Sequence, residues 1–261
     1  MKKLLLFVIC FFCLIPVLYS QALKPWRYDP SAGDLSLWNL RRYEFTVGMG
    51  MSQLFGDIGG FSPSLNLLGI KDMTLNHIRL NLYSSFKYRI TDDISARFNL
   101  ALGYFHSTDE RGSNPDRGFE STTIFTEPSV MGEYHFFLYT GPNKTKIRRP
   151  SSGQTIFSKI DLYLFTGLGG ISYNIIPNEK LEPLVEKKIR FSAVVPLGIG
   201  ANLIYSRSIN IGLELEGRYA FTDYLDGYTS QYSKFNDIYY LLNLTLTYKI
   251  RTGSNGLPFF K

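Results

Sequence analysis

Apolar and polar residues alternate along eight stretches of this chain, each ten or more positions long, and no Asp, Glu, Lys or Arg is expected in the apolar register of any of them. Between Asn76 and Ile90, Ile78, Leu80, Leu82, Phe86, Tyr88 and Ile90 share one parity, while Arg79, Asn81, Tyr83, Ser85, Lys87 and Arg89 share the other. Successive side chains of a strand point to opposite faces, so the two sets meet different surroundings. A face that excludes every charge suits lipid better than the inside of a soluble domain.

The same period predicts strands at Tyr43 to Gln53, Asn76 to Ile90, Ile94 to His106, Phe119 to Tyr139, Lys159 to Tyr173, Arg190 to Tyr205, Ile209 to Phe221 and Asp237 to Ile250. Pro128 interrupts the fourth and predicts a bulge or irregularity, because proline cannot donate to the ladder. Gly167, Gly169 and Gly170 predict a bend in the fifth. Each stretch reaches the about 9–11 residues that a tilted strand needs to cross a bilayer, and an even number of antiparallel strands closes without leaving an edge in lipid. The expected fold is all-β: an eight-stranded antiparallel transmembrane outer-membrane β-barrel with a filled polar lumen.

The N-terminus agrees with export. Lys2 and Lys3 precede the apolar run Leu4 to Leu18 and the small-residue context Tyr19-Ser20-Gln21-Ala22, which reads as a signal peptide over residues 1–20 cleaved after Ser20 or Ala22. Cys10 and Cys13, the only cysteines, lie inside it, so the mature chain is expected to have no disulfide, thiol nucleophile or lipidated cysteine. The remaining roughly 240 residues suit a single domain. They divide into an N-terminal segment 21–42, a barrel 43–251 and a tail 252–261 that either folds back or stays loose. A mean hydropathy of −0.05 with 15% aromatic residues fits a barrel, in which only alternate residues meet lipid. The net charge of +6 is dispersed over the strands with no basic stripe interleaved with aromatics, which argues against nucleic acid as a partner.

Thr91-Asp92-Asp93 and Ser206-Arg207-Ser208 are tight turns, whereas the connections near Asp57 to Leu75, Ser107 to Gly118, Asn174 to Ile189 and Thr222 to Asn236 are long. The tight turns and both termini are therefore expected in the periplasm, and the long connections outside. Thr140 to Ser158 is the exception, an unusually long periplasmic connection. Outward Tyr43, Tyr88, Tyr205 and Tyr248 at one end, and Tyr104, Tyr219 and Tyr240 at the other, read as interfacial girdles. In the inward register Glu44, Glu133, Asp161, Glu214 and Glu216 can be offset by Arg79, Lys87, Arg89, Arg97 and Arg218. Eight strands enclose only enough room for side chains, so this set is expected to plug the lumen as a charge network; a proton or ion path through it is the alternative.

Candidate chemistry is sparse. His77, His106 and His135 are scattered and lack metal-ligand spacing. His106, Ser107 and Asp109 would make a Ser-His-acid set for acyl transfer to lipid, but His106 and Ser107 fall on opposite registers. The run Gly56-Asp57-Ile58-Gly59-Gly60 lacks the Lys-Ser/Thr of a phosphate loop and reads as a sharp turn. No cofactor and no small-molecule substrate is expected. Partner surfaces are expected off the lipid belt: Lys144, Lys146, Arg148, Arg149 and Lys159 form a basic stretch without an acid, and Trp26, Trp38, Arg41 and Arg42 precede the first strand. The first group otherwise reads as a solvated turn and the second as a lipid-boundary marker.

Trp38-Asn39-Leu40, Tyr43-Glu44-Phe45-Thr46-Val47-Gly48-Met49-Gly50 and Ser52-Gln53-Leu54-Phe55-Gly56-Asp57-Ile58-Gly59-Gly60 resemble the opening of the PorG-like outer-membrane barrel component of the type IX secretion system of Bacteroidota. The likeness continues through Arg79, Asn81-Leu82, Arg97, Leu100, Asp109, Arg117 and Glu133-Tyr134 to Tyr139, covering the first half of the mature chain. The resemblance implies a non-enzymatic barrel in contact with outer-membrane lipids and with periplasmic ring proteins and lipoproteins of a machine for protein export and gliding. The alternatives are a barrel of unassigned structural or adhesive role and, further off, a lipid-modifying enzyme.

Overall fold

A computed structural model describes residues 41–59, 78–91, 93–111, 114–137, 160–185, 189–206, 208–230, 236–252 and 257–259. The alternating stretches form eight long strands: β1 (Tyr43–Phe55), β2 (Arg79–Arg89), β3 (Ile94–Thr108), β4 (Glu120–Phe137), β5 (Ile160–Pro177), β6 (Ile189–Ile204), β7 (Ile209–Ala220) and β8 (Ile238–Thr252). Each pairs antiparallel with its sequence neighbour, and β1 pairs with β8 from Tyr43↔Ile250 to Phe55↔Ile238, which closes the barrel. Ring closure leaves no unpaired edge among these strands. The tail adds β9 (Pro258–Phe259), which folds back on Arg251 and Thr252 of β8.

The barrel is inside-out relative to a soluble domain. On β8 the outward Leu242, Leu244, Leu246 and Tyr248 are exposed, while the inward Asn243, Thr245, Thr247 and Lys249 are buried. Leu80, Leu168, Ile189, Phe191 and Leu197 stand out from the wall as well, 62–72% exposed. An apolar exterior of this extent would be an aggregation surface in water and is the surface that hydrocarbon requires. One acid departs from the expected exterior rule: Glu120, the first residue of β4, lies in the outward register. It sits where the strand emerges into the long connections, so it leaves the belt itself uncharged.

At Pro128 the irregularity is a gap in one ladder rather than a bulge. Pairing of β3 with β4 runs unbroken through Leu100↔Pro128, whereas the β4–β5 ladder skips Glu127 and Pro128 and keeps its register on either side. The register shift lies instead between His135 and Phe137. The glycines of β5 serve close approach: a Cβ on Gly167 would lie 2.0 Å from the Val130 carbonyl oxygen. Beyond them β5 runs on to Pro177, four residues past the expected end.

Candidate functional site

The tight-turn end of the lumen holds the first charged layer. Glu44 (β1), Lys87 and Arg89 (β2), Glu133 and His135 (β4) and Asp161 (β5) are all buried there. Lys87 Nζ lies 2.7 Å from Glu133 Oε2 and 3.8 Å from Glu44 Oε2, and Arg89 Nη2 lies 3.5 Å from Glu44 Oε1. His135 sits between two carboxylates, with Nδ1 2.8 Å from Asp161 Oδ1 and Nε2 3.4 Å from Glu133 Oε2. Its Nε2 also lies 3.3 Å from Ser95 Oγ.

At mid-height Arg97 (β3) crosses the lumen to Glu133 Oε1 at 2.9 Å and Glu214 Oε1 (β7) at 2.8 Å. Its guanidinium lies 4.1 Å from the centroid of the Phe165 ring. Tyr163 donates its hydroxyl proton to the same Glu214 oxygen. One level higher Arg218 binds Glu127 Oε1 through Nε at 2.7 Å and Glu216 Oε2 through Nη2 at 2.8 Å. Tyr239 and Asn243 donate to the remaining oxygens of Glu127 and Glu216, and Asn81 donates to Asn243 Oδ1 at 2.7 Å. Among the described residues, six buried lumen carboxylates (Glu44, Glu127, Glu133, Asp161, Glu214 and Glu216) face five buried cations (Lys87, Arg89, Arg97, Arg218 and Lys249) together with His135. Charges stripped of water are tolerable only when paired in this way.

Nine of the ten residues expected in the network are brought together; Arg79 is not. It is half-buried at the long-connection end of β2, and its Nη1 donates to the Ile78 carbonyl at 3.0 Å. The inward side chains of Asn81, Tyr83 and Ser85 separate it from Lys87, so parity alone placed it with charges that tilt and stagger leave below it. Glu127 and Lys249 were missed, although each shares the inward parity of its strand.

The lumen is not polar throughout, which corrects the expected filled polar lumen. Toward the long connections Phe105 and Phe125 stack with centroids 4.3 Å apart, and Tyr239 packs 5.0 Å from Phe105. Leu54, Ile171, Tyr173, Ile175, Val194, Ala220 and Leu241 complete this apolar layer, and Leu225 from the β7–β8 connection is buried in it. Leu225 is held by both backbone groups: its N–H donates to Asp237 Oδ2 at 2.6 Å and its carbonyl accepts from Thr123 Oγ1 at 2.6 Å.

Above the plug the connections are fastened to one another by aspartates. Arg117 donates through Nε and Nη2 to the two oxygens of Asp109, each at 2.7 Å, and through Nη2 to the Asp57 carbonyl at 2.9 Å. Asp109 also accepts from the N–H groups of Gly59 and Phe119, both at 3.0 Å. Phe119 and Tyr228 flank the Arg117 guanidinium at 4.9 and 4.7 Å. The Asp109 pairing raises the already high Arg117 pKa, which keeps the clamp charged. Asp226 accepts from Ile58 N–H at 2.8 Å and Tyr228 N–H at 3.0 Å, and Asp57 Oδ2 accepts from Ser230 N–H at 2.6 Å. Asp57, Asp109 and Arg117, residues that carry the sequence resemblance, thus meet in one cap, while Asn81, Arg97 and Glu133 lie in the lumen network.

The acyl-transfer set does not assemble. His106 lies on the outward register, 3.3 Å from Thr122 Oγ1 and 3.6 Å from Glu120 Oε1, while Ser107 is buried on the inward side and Asp109 binds Arg117. At the other end Arg41 Nη1 donates to Ser208 Oγ at 2.6 Å. Arg42 reaches the Tyr88 hydroxyl at 3.3 Å through Nη1, and its backbone N–H donates to Thr252 Oγ1 at 3.0 Å. Arg41 therefore ties the start of the barrel to the β6–β7 turn, and Arg42 ties it to β2 and to the end of β8. His77, Trp26, Trp38, Lys144, Lys146, Arg148, Arg149, Lys159 and the signal segment lie outside the described residues.

No protein-family model and no curated protein matches this chain. Among solved structures, the N-terminal β-barrel domain of Pseudomonas aeruginosa OprF shares 13% identity over 80% of this chain and 97% of that one, with a TM-score of 0.39. Yersinia pestis Ail, the attachment invasion locus protein, solved with the heparin analogue sucrose octasulfate, shares 11% over 79% and 96%, with a TM-score of 0.42. OprG of Pseudomonas aeruginosa shares 8% over 80% and 96%, also with a TM-score of 0.42. At these values the barrel assignment rests on the chain's own strand pairing and its closure of β1 on β8.

Proposed function

We propose that this protein is a non-enzymatic integral outer-membrane barrel that serves as a structural component of a type IX protein secretion and gliding machine, contacting its periplasmic ring proteins and lipoproteins. The observation that carries the reading is an uncharged apolar belt on the outer face around a lumen in which described inward side chains are buried in charged and apolar layers, which points to the two ends for work. Closure satisfies the backbone hydrogen bonds that hydrocarbon cannot. The tie to secretion draws on the resemblance through Trp38, Tyr43 to Gly60, Asp109, Arg117 and Glu133. Those of its polar residues that meet in the cap and the lumen have structural work there.

With the tight turns in the periplasm, both termini face it. Arg41 and Arg42 then mark the base where the segments holding Trp26 and Trp38, and Lys144, Lys146, Arg148 and Arg149, would offer aromatic and basic anchors to a partner. A clean deletion should leave cargo proteins uncleaved inside the cell, and crosslinking in native outer membranes should capture periplasmic ring components. Normal export in the deletion strain refutes the secretion role, and extraction by buffer without detergent refutes the membrane placement. The clipped cap favours a second reading, an outward structural or adhesive role, for which deletion would change surface attachment while export stays normal.

A further inference from the structure

Two buried carboxyl groups in the cap face each other, and among the described residues no ion pair to a cation is seen for either. Asp226 and Asp237 are 0% and 2% exposed. A Cβ on Gly56 would lie 2.5 Å from Asp226 Oδ2 and 3.0 Å from Asp237 Oδ1, so both carboxyl groups converge on this one glycine at the end of β1. Between them they hold three backbone N–H groups: Ile58 from the β1–β2 connection, and Tyr228 and Leu225 from the β7–β8 connection. Leu225 is the residue that enters the apolar plug. The strongest charged neighbours of Asp237 are Asp226, Asp223 and Asp57, all of one sign. Among the described residues, the other charged and titratable groups around the cap include Asp109 and Arg117 from the β3–β4 connection, Lys180 from the β5–β6 connection beside Gly118, Arg190 from β6, Tyr173 from β5, and Tyr224 and Tyr228. Arg117 is bound to Asp109, and Arg190 lies 3.7 Å from the centroid of the Tyr224 ring.

We propose that Asp226 and Asp237 form a proton-operated latch that fastens the β7–β8 connection to the end of β1 over the barrel mouth, and that the latch loosens as pH rises toward neutrality. Burial, joined by the like charges of Asp57 and Asp223, pushes the Asp226 carboxyl up to about 7. Burial and Asp226 raise Asp237 as well. A carboxyl raised on closing stabilises the closed state fully in acid, below its ordinary value near 4, and that stabilisation is lost as pH climbs to the raised value. The proposal is independent of any role in secretion.

Hydrogen exchange read by mass spectrometry on the full chain in detergent micelles, corrected for intrinsic rates, tests it. Protection of the Ile58, Leu225 and Tyr228 amides should fall on the order of tenfold per pH unit between pH 5 and 7 and level off above, while the barrel strands stay constant. Asp226→Asn and Asp237→Asn should each flatten the profile, and Asp223→Asn, which removes a like charge, should move the fall to lower pH. A flat wild-type profile, or an unchanged fall in the asparagine variants, overturns the latch. Heat-modifiable migration on gels confirms that each variant forms the barrel, and if neither asparagine variant does, the wild-type profile and the Asp223→Asn shift decide.

Discussion

Replacing Arg218 by methionine should be among the most costly single changes in the lumen. The side chain keeps its volume but leaves two carboxylates, those of Glu127 and Glu216, without the cation that lies 2.7 and 2.8 Å from them. Arg218, Glu127 and Glu216 are all 0% exposed, so water does not replace it. Tyr239 and Asn243 still donate to one oxygen of each acid, which limits the loss without removing it. Breaking a buried pair costs about 3–5 kcal/mol, and a value of about 4 kcal/mol lowers the folding equilibrium about a thousandfold. Urea titration of the barrel in lipid vesicles, followed by circular dichroism and heat-modifiable migration, measures it. The triple variant R218M/E127Q/E216Q removes the stranded charges together and should recover most of the loss. A single variant within about 1 kcal/mol of wild type would mean that the lumen is wet at this height. A triple variant as unstable as the single one would mean that shape rather than charge set the cost.

Gly50→Ala should abolish folding, because its Cβ would lie 2.2 Å from the Leu242 carbonyl oxygen at the closing seam, whereas Gly132→Ala, with nothing within 4 Å, should stay within about 0.5 kcal/mol of wild type in the same titration. Leu244→Arg puts a charge into the lipid-facing register and should cost about 2–4 kcal/mol if that position is near the bilayer midplane; a loss below about 1 kcal/mol would contradict the belt. Reconstituted in planar bilayers, the wild-type barrel should show no steady conductance, and open-channel steps would overturn the expectation that its side chains plug the lumen. His106→Ala should leave the masses of lipid A and phospholipids unchanged when compared with wild type in cells, since His106 and Ser107 face opposite sides of the wall.

Much of the charged network could be read from parity. Lys87, Arg97, Glu133, Asp161, Glu214 and Glu216 all point inward as the alternation demands, because a residue and its second neighbour share a face wherever the strand goes. Glu127 carries the same signal, six residues before Glu133 on one strand. Arg79 shows where parity stops, since it gives the face and not the height. The apolar plug was hidden for a related reason: Phe105, Phe125, Ile171 and Tyr173 are inward by parity, but local alternation fades where both faces are apolar. Asp226 lies beyond any periodic signal, in a connection, and Asp237 carries only the inward parity of the β8 entrance, which says nothing of its neighbour.

The sequence alone determined that the chain makes eight lipid-length strands and which side of each is charged, because strand formation and facing depend on neighbours two residues apart. The tertiary structure decided which charges meet. Arg97 pairs with Glu214, 117 positions away, and Arg218 with Glu127, 91 positions away. Those partners are set by the tilt and stagger of the strands when β1 closes on β8, a property of the whole ring that no single strand contains.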